Sequence, residues 1–478
     1  VIFAAASSFF SLRDYAFSNP ASVVYRVHLL AHTHWDREWY HPQVRFRQRL
    51  VALVDELLDD PPTAPASFLL DGQAIILEDY LAVRPERAAE LATLLQSGRL
   101  EAGPWYVLAD ELIPGAEALV RNLLVGRRVL RSLRSASPPV LYCPDSFGHP
   151  AALPELAHGF GLPLVILWRG YGGARRPVGD AFEWRSASGA SVVVFHLPPA
   201  GYEYGSHLPT EETHAGERWR RIRADLGERS RTGILLVQNG ADHHARQPFH
   251  DVAAAALARA AAATGDEARA SSLTAFADEL LRRASQSSLP VVEGELRDSY
   301  GYAWTLQGTF ATRAAQKRQN ALAERLLVRD AEPWAALARH RGAGSRAHLL
   351  LVAWKSLLQS QPHDTLCGCS IDAVAEAMDD RLHDTVVQAT GVRDDAIVDL
   401  LGHDPVIARM SPDRWQPVVI VRNRAPRSRG GVAIIELKHR LADVPVGPGS
   451  SAAVPGPLAD TRVPPPRLAG GSRIQLLR

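Results

Sequence analysis

The sequence predicts an α/β fold: a parallel sheet or barrel, then a helical bundle, then the start of an all-β domain. Three observations carry the prediction. Up to about residue 308, short apolar runs that stop at polar residues alternate with segments of helical period, the pattern of βαβ units. From there to Leu401 the chain is largely helical in period and rich in Ala, Arg and Leu, as in a small bundle. Beyond Pro417, two β-like runs at 418–421 and 432–437 are separated by Arg and Gly. Two strands cannot make a stable sheet alone, so the chain is expected to stop inside a β domain.

Taken in order, residues 1–10 are mostly apolar, but no basic stretch precedes them and Arg13 and Asp14 follow soon after. Residues 1–24 therefore read as an irregular extension, not a signal peptide. Val27, Leu29 and Leu30 form a buried strand that delivers Ala31-His32-Thr33-His34-Trp35-Asp36 at its C-terminal end. Residues 47–60 are helical in pattern, and 67–70 form a second strand before Asp71-Gly72-Gln73. Helices are predicted at 78–95 and 116–133, with Gly103-Pro104-Trp105-Tyr106 between them. Further strands run over 140–143, ending at Pro144-Asp145, and 164–167, ending at Trp168-Arg169-Gly170. The same design recurs at 191–197 and at 234–237, which leads into Asn239-Gly240. Strand C-terminal ends are where parallel α/β folds place their chemistry. Residues 312–341, 347–358 and 371–401 are the bundle helices, with Pro333 breaking the first. After Val444 the chain is rich in Pro, Gly, Ser and Ala and reads as irregular.

Composition narrows the function classes. The 478 residues suit about three domains. Lys+Arg 53 against Asp+Glu 52 leaves a net charge of +1, which speaks against a strongly basic nucleic-acid binder. No apolar run reaches the ~18 residues of a membrane-spanning helix, so no membrane partner is expected. Three cysteines cannot build a disulfide framework and point to a reducing, cytoplasmic setting.

The residues that could carry chemistry sit at the predicted strand ends. His32, His34 and Asp36 are spaced i, i+2, i+4 and share one face of an extended segment, half of a plausible metal site. A polar strand end with hydrogen-bonded histidines fits the same spacing. Asp145 and Asp242 each follow an apolar strand, and two carboxylates on different strand ends are the minimum for glycoside hydrolysis. Either could equally cap a helix or a turn. His149 is a ligand by residue type or a loop histidine. His243 and His244 are adjacent, so in extended chain they point to opposite faces and cannot easily grip one ion. His363-Asp364 falls between helices, and Cys367 and Cys369 lack the spacing of a zinc knuckle.

In this order, four segments resemble glycoside hydrolase family 38, the α-mannosidases, with the look of its bacterial, mannosylglycerate hydrolase-like branch. They are His32-Thr33-His34-Trp35-Asp36-Arg37-Glu38-Trp39-Tyr40, Pro144-Asp145-Ser146-Phe147-Gly148, Asn239-Gly240-Ala241-Asp242 and His363-Asp364. Asp71-Gly72-Gln73, Glu78-Asp79-Tyr80, Gly103-Pro104-Trp105-Tyr106, Arg121-Asn122-Leu123, Trp168-Arg169-Gly170 and Gly294-Glu295-Leu296 support the likeness, which covers roughly 26–437.

The resemblance implies an irregular seven-stranded α/β catalytic barrel, a three-helix bundle and then all-β domains; on this chain the expected bounds are 25–308 for the barrel, 309–405 for the bundle and 406–478 for a truncated β-domain start with an irregular tail, a departure from the family. It implies one zinc ion per chain on His34, Asp36, Asp145 and His363, selecting His34 over His32. Asp145 matches the family nucleophile and Asp242 the acid/base of a retaining mechanism on α-mannosides. Trp39 would stack on the sugar, Phe147 wall the pocket and Asp364 bond sugar hydroxyls, while Arg169 matches a residue near the acid. The likeness also allows a homo-oligomer. Ala241 departs from the carboxylate that some members carry beside the acid/base. Two rival readings stand beside this one: a metal-dependent carbohydrate deacetylase on a related barrel, in which the metal activates water, and a truncated remnant that binds sugar or metal without turnover.

Overall fold

The computed structural model describes residues 23–60, 67–172, 179–304, 306–410, 423 and 427–430. The β-like runs expected at 418–421 and 432–437 lie outside the described residues, as does the extension at 1–22. Ten strands are present among the described residues: β1 (Arg26–His32), β2 (Phe68–Gln73), β3 (Leu100–Trp105), β4 (Val140–Cys143), β5 (Leu164–Leu167), β6 (Ala181–Arg185), β7 (Ser191–His196), β8 (Ile234–Asn239), β9 (Glu267–Ala270) and β10 (Val291–Glu293).

They form two five-stranded sheets instead of the expected seven-stranded ring. One sheet has the order β3-β2-β1-β8, with β9 also paired to β1, and the other has the order β10-β6-β7-β5-β4. Along one edge of β1, β9 pairs with Arg26–Leu29 and β2 with Ala31 and His32. Every pairing is parallel except the β6–β7 hairpin. Helices such as Gln43–Asp59 and Ala116–Ser132 connect the parallel strands and turn Phe46, Leu50, Leu53, Leu119 and Leu123 into the core. Strands β1, β2, β4, β5 and β8 are almost wholly buried, as strands covered on both faces must be.

Three local expectations change. The predicted 78–95 helix is two helices, Ile75–Leu81 and Ala88–Gln96, because Pro85 cannot donate in a helix interior. Around Gly103-Pro104 the chain is β3, an edge strand where a missing N–H is tolerated. Pro333 does not break its helix: a π-helical turn at Leu327–Ala331 joins Ala314–Leu326 to Glu332–His340, and Pro333 sits in the first turn of the latter. Ala347–Leu358 and Asp372–Leu401 complete the helical region.

The helical region is fastened to the sheet edge by polar contacts. Glu324 accepts from Gly115 N (3.0 Å) and from Gln361 Nε2 (2.9 Å). Arg381, on the long helix, grips Glu38 in the loop after β1, and Thr365 Oγ1 donates to the same carboxylate at 3.1 Å. Glu38 is 1% exposed, so these contacts replace its hydration. The chain to Leu400 forms one compact unit that contains all the residues discussed below, and 401–478 form a second. Among the described residues no helix is long and apolar enough to cross a membrane.

Candidate active site

Sheet register places most of the site. The β1–β2 ladder ends at His32↔Leu69, and two residues further on His34 Nδ1 meets Asp71 Oδ2 at 3.2 Å. On the other edge of β1 the last ladder pair is Ala31↔Asn239, and the same register continues into an isolated bridge between His34 and Asp242. The β4–β5 ladder ends at Cys143↔Leu167, and two residues further on Arg169 forks onto Asp145 Oδ1, from Nε at 3.0 Å and Nη2 at 2.8 Å. One rule therefore produces three pairs: residues that leave parallel strands in register remain neighbours past the strand ends.

His363 arrives differently. Residues 361–363 run alongside the continuation of β3, with Asp110 N donating to Gln361 O, His363 N to Leu108 O, and an antiparallel bridge between Ala109 and Pro362. The short helix His363–Cys367 starts there. Its imidazole turns inward, with Nδ1 3.1 Å from Leu108 O and Nε2 3.3 Å from Asp145 Oδ2 and 3.4 Å from Asp36 Oδ1. Asp36 Oδ1 is in turn 3.2 Å from His34 Nε2. All four residues expected as metal ligands thus converge: His34, Asp145 and His363 offer atoms within one ion's reach of one another, and Asp36 joins His363 and Asp364 in an overlapping set.

The donor set fits a metal. His34 Nε2, Asp36 Oδ1 and His363 Nε2 are buried without a hydrogen-bond partner in the structure, an arrangement that is costly unless something else binds those atoms. Nitrogen and carboxylate oxygen are borderline-hard donors of the kind zinc accepts. The other ring nitrogen of His363 lies against the Leu108 carbonyl, which orients that ring, while His34 Nδ1, likewise buried without a hydrogen-bond partner, faces Asp71 Oδ2 at 3.2 Å. Charge points the same way. Burial alone would push both imidazoles towards neutrality, yet Asp36 and Asp71 raise His34 well above its ordinary range, and Asp364, Asp145 and Asp36 raise His363 to about 10. The cluster is built to hold positive charge, whether as protons on the rings or as a divalent ion.

The two catalytic candidates differ in environment. Burial pushes the Asp145 carboxyl upward, but the His363 imidazole 3.3 Å away and the Arg169 charge outweigh it and hold the group below the usual carboxylate range. For Asp242 burial wins, aided by the charges of Asp36 and Asp145 against the pull of His34 and Tyr202, and the carboxyl rises to about 6. Tyr202 donates to Asp242 Oδ1 at 2.8 Å.

Other expectations resolve individually. Phe147 lines the cluster, its ring 5.5 Å from that of His363. Asp364 Oδ2 lies 3.5 Å from His363 Nε2. Arg169, expected near the acid, instead binds Asp145, and its guanidinium stacks on Trp168 at 4.1 Å. Trp39 is half-buried at the junction with the helices, packed edge-on against Tyr40, and its carbonyl accepts from Ile371 N. His32 points away from the cluster to the Tyr202 carbonyl (3.0 Å), and burial lowers it to about 4. His149 has both ring nitrogens occupied, by Glu111 and the Arg169 carbonyl.

Three roles escaped the sequence reading, two of them at residues it had named. Asp71 accepts from Trp35 N, Gly72 N and Gln73 Nε2 besides facing His34. Its position just past an apolar run was the signal. His243 accepts from Asp36 N at 3.0 Å while stacked on Phe46, so it steadies a ligand and does not serve as one. Tyr202 lies in a connection that carries no motif.

Fold and site define the class: an α/β protein with a buried centre of two histidines and two aspartates, completed from a following helical region. Residues 24–295 match the glycosyl hydrolases family 38 N-terminal domain, and residues 304–400 match the alpha mannosidase middle domain. The chain belongs to glycosyl hydrolase family 38. It is 34% identical over 382 residues to a Halalkalibacterium halodurans protein named "Putative mannosylglycerate hydrolase", covering 76% of this chain and 41% of that one. It is 27% identical to human alpha-mannosidase 2C1, covering 73% and 32%. The crystal structure of an alpha-mannosidase from Enterococcus faecalis superposes with a TM-score of 0.74 at 32% identity, covering 79% of this chain and 43% of that one. The chain spans less than half the length of these relatives.

Proposed function

We propose that the chain carries the catalytic centre of a zinc-dependent retaining glycosidase that removes terminal α-linked mannose. The observation that supports this most is the convergence of His34, Asp36, Asp145 and His363 on a buried point where three of their ligand atoms lack partners. When bound there, zinc would supply Lewis acidity towards vicinal sugar hydroxyls, the cis-diol that mannose offers and glucose lacks. In this reading Asp145, kept ionised and aimed by Arg169, attacks the anomeric carbon and forms a covalent mannosyl ester. Asp242, oriented by Tyr202, protonates the leaving oxygen and then takes a proton from the water that cleaves the ester. Its buried setting suits a group that must start protonated. Asp364 bonds sugar hydroxyls, and Phe147 and Trp39 provide apolar surface for the ring.

The test is hydrolysis of an aryl α-mannoside by the purified protein, before and after chelation and again after zinc is restored. Activity that is lost with chelator and returns with zinc is expected. A 2-deoxy-2-fluoro mannosyl donor should leave a sugar on the peptide containing Asp145. Release of acetate from an acetylated sugar, with no adduct, would overturn the reading.

A further inference from the structure

Beside the ion-binding cluster, and serving none of the steps above, lie two thiols. Cys367 ends the short helix that begins with His363, and Cys369 follows two residues later. Gly368 between them adopts φ +92°, a left-handed conformation that turns the chain back on itself, and a Cβ there would meet Thr312 Oγ1 at 2.6 Å. The turn brings the two Sγ atoms to 3.3 Å. Cys369 Sγ also lies 3.0 Å from Asp364 Oδ1, and Asp364, Cys367 and Cys369 form a compact group. Cys367 is buried and Cys369 partly exposed, so one thiol of the pair can meet a small solute. The third cysteine, Cys143, is buried in β4.

We propose that Cys367 and Cys369 are an oxidisable dithiol whose closure to a disulfide withdraws the thiol donor from Asp364 and lowers turnover at the neighbouring site. The thiol chemistry stands alone; the effect on turnover rests on the reading of Asp364 as a sugar-binding residue. Hydrogen peroxide is the oxidant by class. One sulfur of the pair, as thiolate, attacks the peroxide oxygen, giving a sulfenic acid and hydroxide. The other sulfur then displaces the sulfenic oxygen, and with the protons returned two thiols and one peroxide give one disulfide and two waters. Closing the sulfurs from 3.3 Å to the ~2.05 Å of a disulfide requires a small local shift. A ring spanning one intervening residue is strained, and strained disulfides are the readily reduced ones, so the change should reverse with a dithiol reductant.

The experiment treats the full, zinc-loaded chain with hydrogen peroxide, then alkylates, maps peptides by mass and assays an aryl α-mannoside in parallel. The expected peptide carrying both cysteines resists alkylation and has lost two hydrogens, Cys143 remains a thiol, and hydrolysis falls by about ten-fold, the scale of one hydrogen bond to a charged group. Dithiothreitol should restore both readouts. Cys369→Ser keeps a hydroxyl donor for Asp364 but cannot close the ring, and its hydrolysis should persist through the same treatment. Two free thiols after peroxide would overturn the dithiol, and a disulfide that leaves hydrolysis unchanged would overturn its link to Asp364. If the reduced, zinc-loaded chain hydrolyses no mannoside, the glycosidase reading fails, the link to turnover fails with it, and the peptide masses still decide the dithiol.

Discussion

The two halves of the candidate site are held by different physics. The strand-end half, with His34, Asp36, Asp71, Asp145, Arg169 and Asp242, is placed by backbone ladders: once β1, β2, β4, β5 and β8 pair in register, their following residues are neighbours by geometry. The helical half, with His363 and Asp364, is placed by one short antiparallel contact at 361–363 and by a few side chains such as Glu38, Arg381 and Glu324. A ladder spreads its positional accuracy over many hydrogen bonds, whereas a loop tied by single contacts can be displaced by one substitution. The comparison teaches that the catalytic candidates stand on the ladder half, while the proposed ion would need ligands from both.

Five substitutions test that difference. Asp145→Ala, on the ladder half, should lose turnover by several orders of magnitude while the fold stays intact, measured as kcat on an aryl α-mannoside together with circular dichroism. Residual activity near the parent level would show that another group is the nucleophile. His363→Ala, on the helical half, should lose bound zinc as completely as His34→Ala, read by elemental analysis after dialysis. Zinc retained in the first and lost in the second would confine the ion to the strand ends.

Asp242→Asn should slow substrates with poor leaving groups by roughly 10²–10⁴-fold and spare activated ones. The falling alkaline limb of kcat/KM, where the parent loses its acid, should vanish with it. An equal loss on all leaving groups would undo the acid assignment. The smallest effect on turnover is expected from Glu38→Gln, which leaves Arg381 without its buried partner. Stability should fall by about 3 kcal/mol in urea unfolding, the scale for breaking a buried pair from one side, with zinc content retained in the folded protein. Loss of zinc without loss of stability would mean that the helical half is positioned by this contact alone.

Much of the fold was legible because the signals are local. Leu164–Leu167 and Ala347–Leu358 have the boundaries that their apolar runs and helical period predict. Glu267–Ala270 had no such signal: its side chains are mostly exposed and charged or small, and only its ladder with β1 makes it a strand. The site divides in the same way. His34, Asp36, Asp145 and Asp242 were visible as polar residues that end apolar strands, since a buried strand has no local reason to stop at a carboxylate. Arg169 was visible as a residue, but which carboxylate it serves depends on the β4–β5 register.

The amino-acid order by itself determined the alternation of strands and helices, the residues presented at strand ends, and the family those segments resemble, because each is a matter of period and neighbouring residue types. Only the tertiary structure decided that the strands make two five-stranded sheets, that Arg169 falls on Asp145, and that His32 turns to the Tyr202 carbonyl. Those outcomes depend on which strands pair and in what register, a choice made by burial summed over the whole core, which no short stretch of sequence contains.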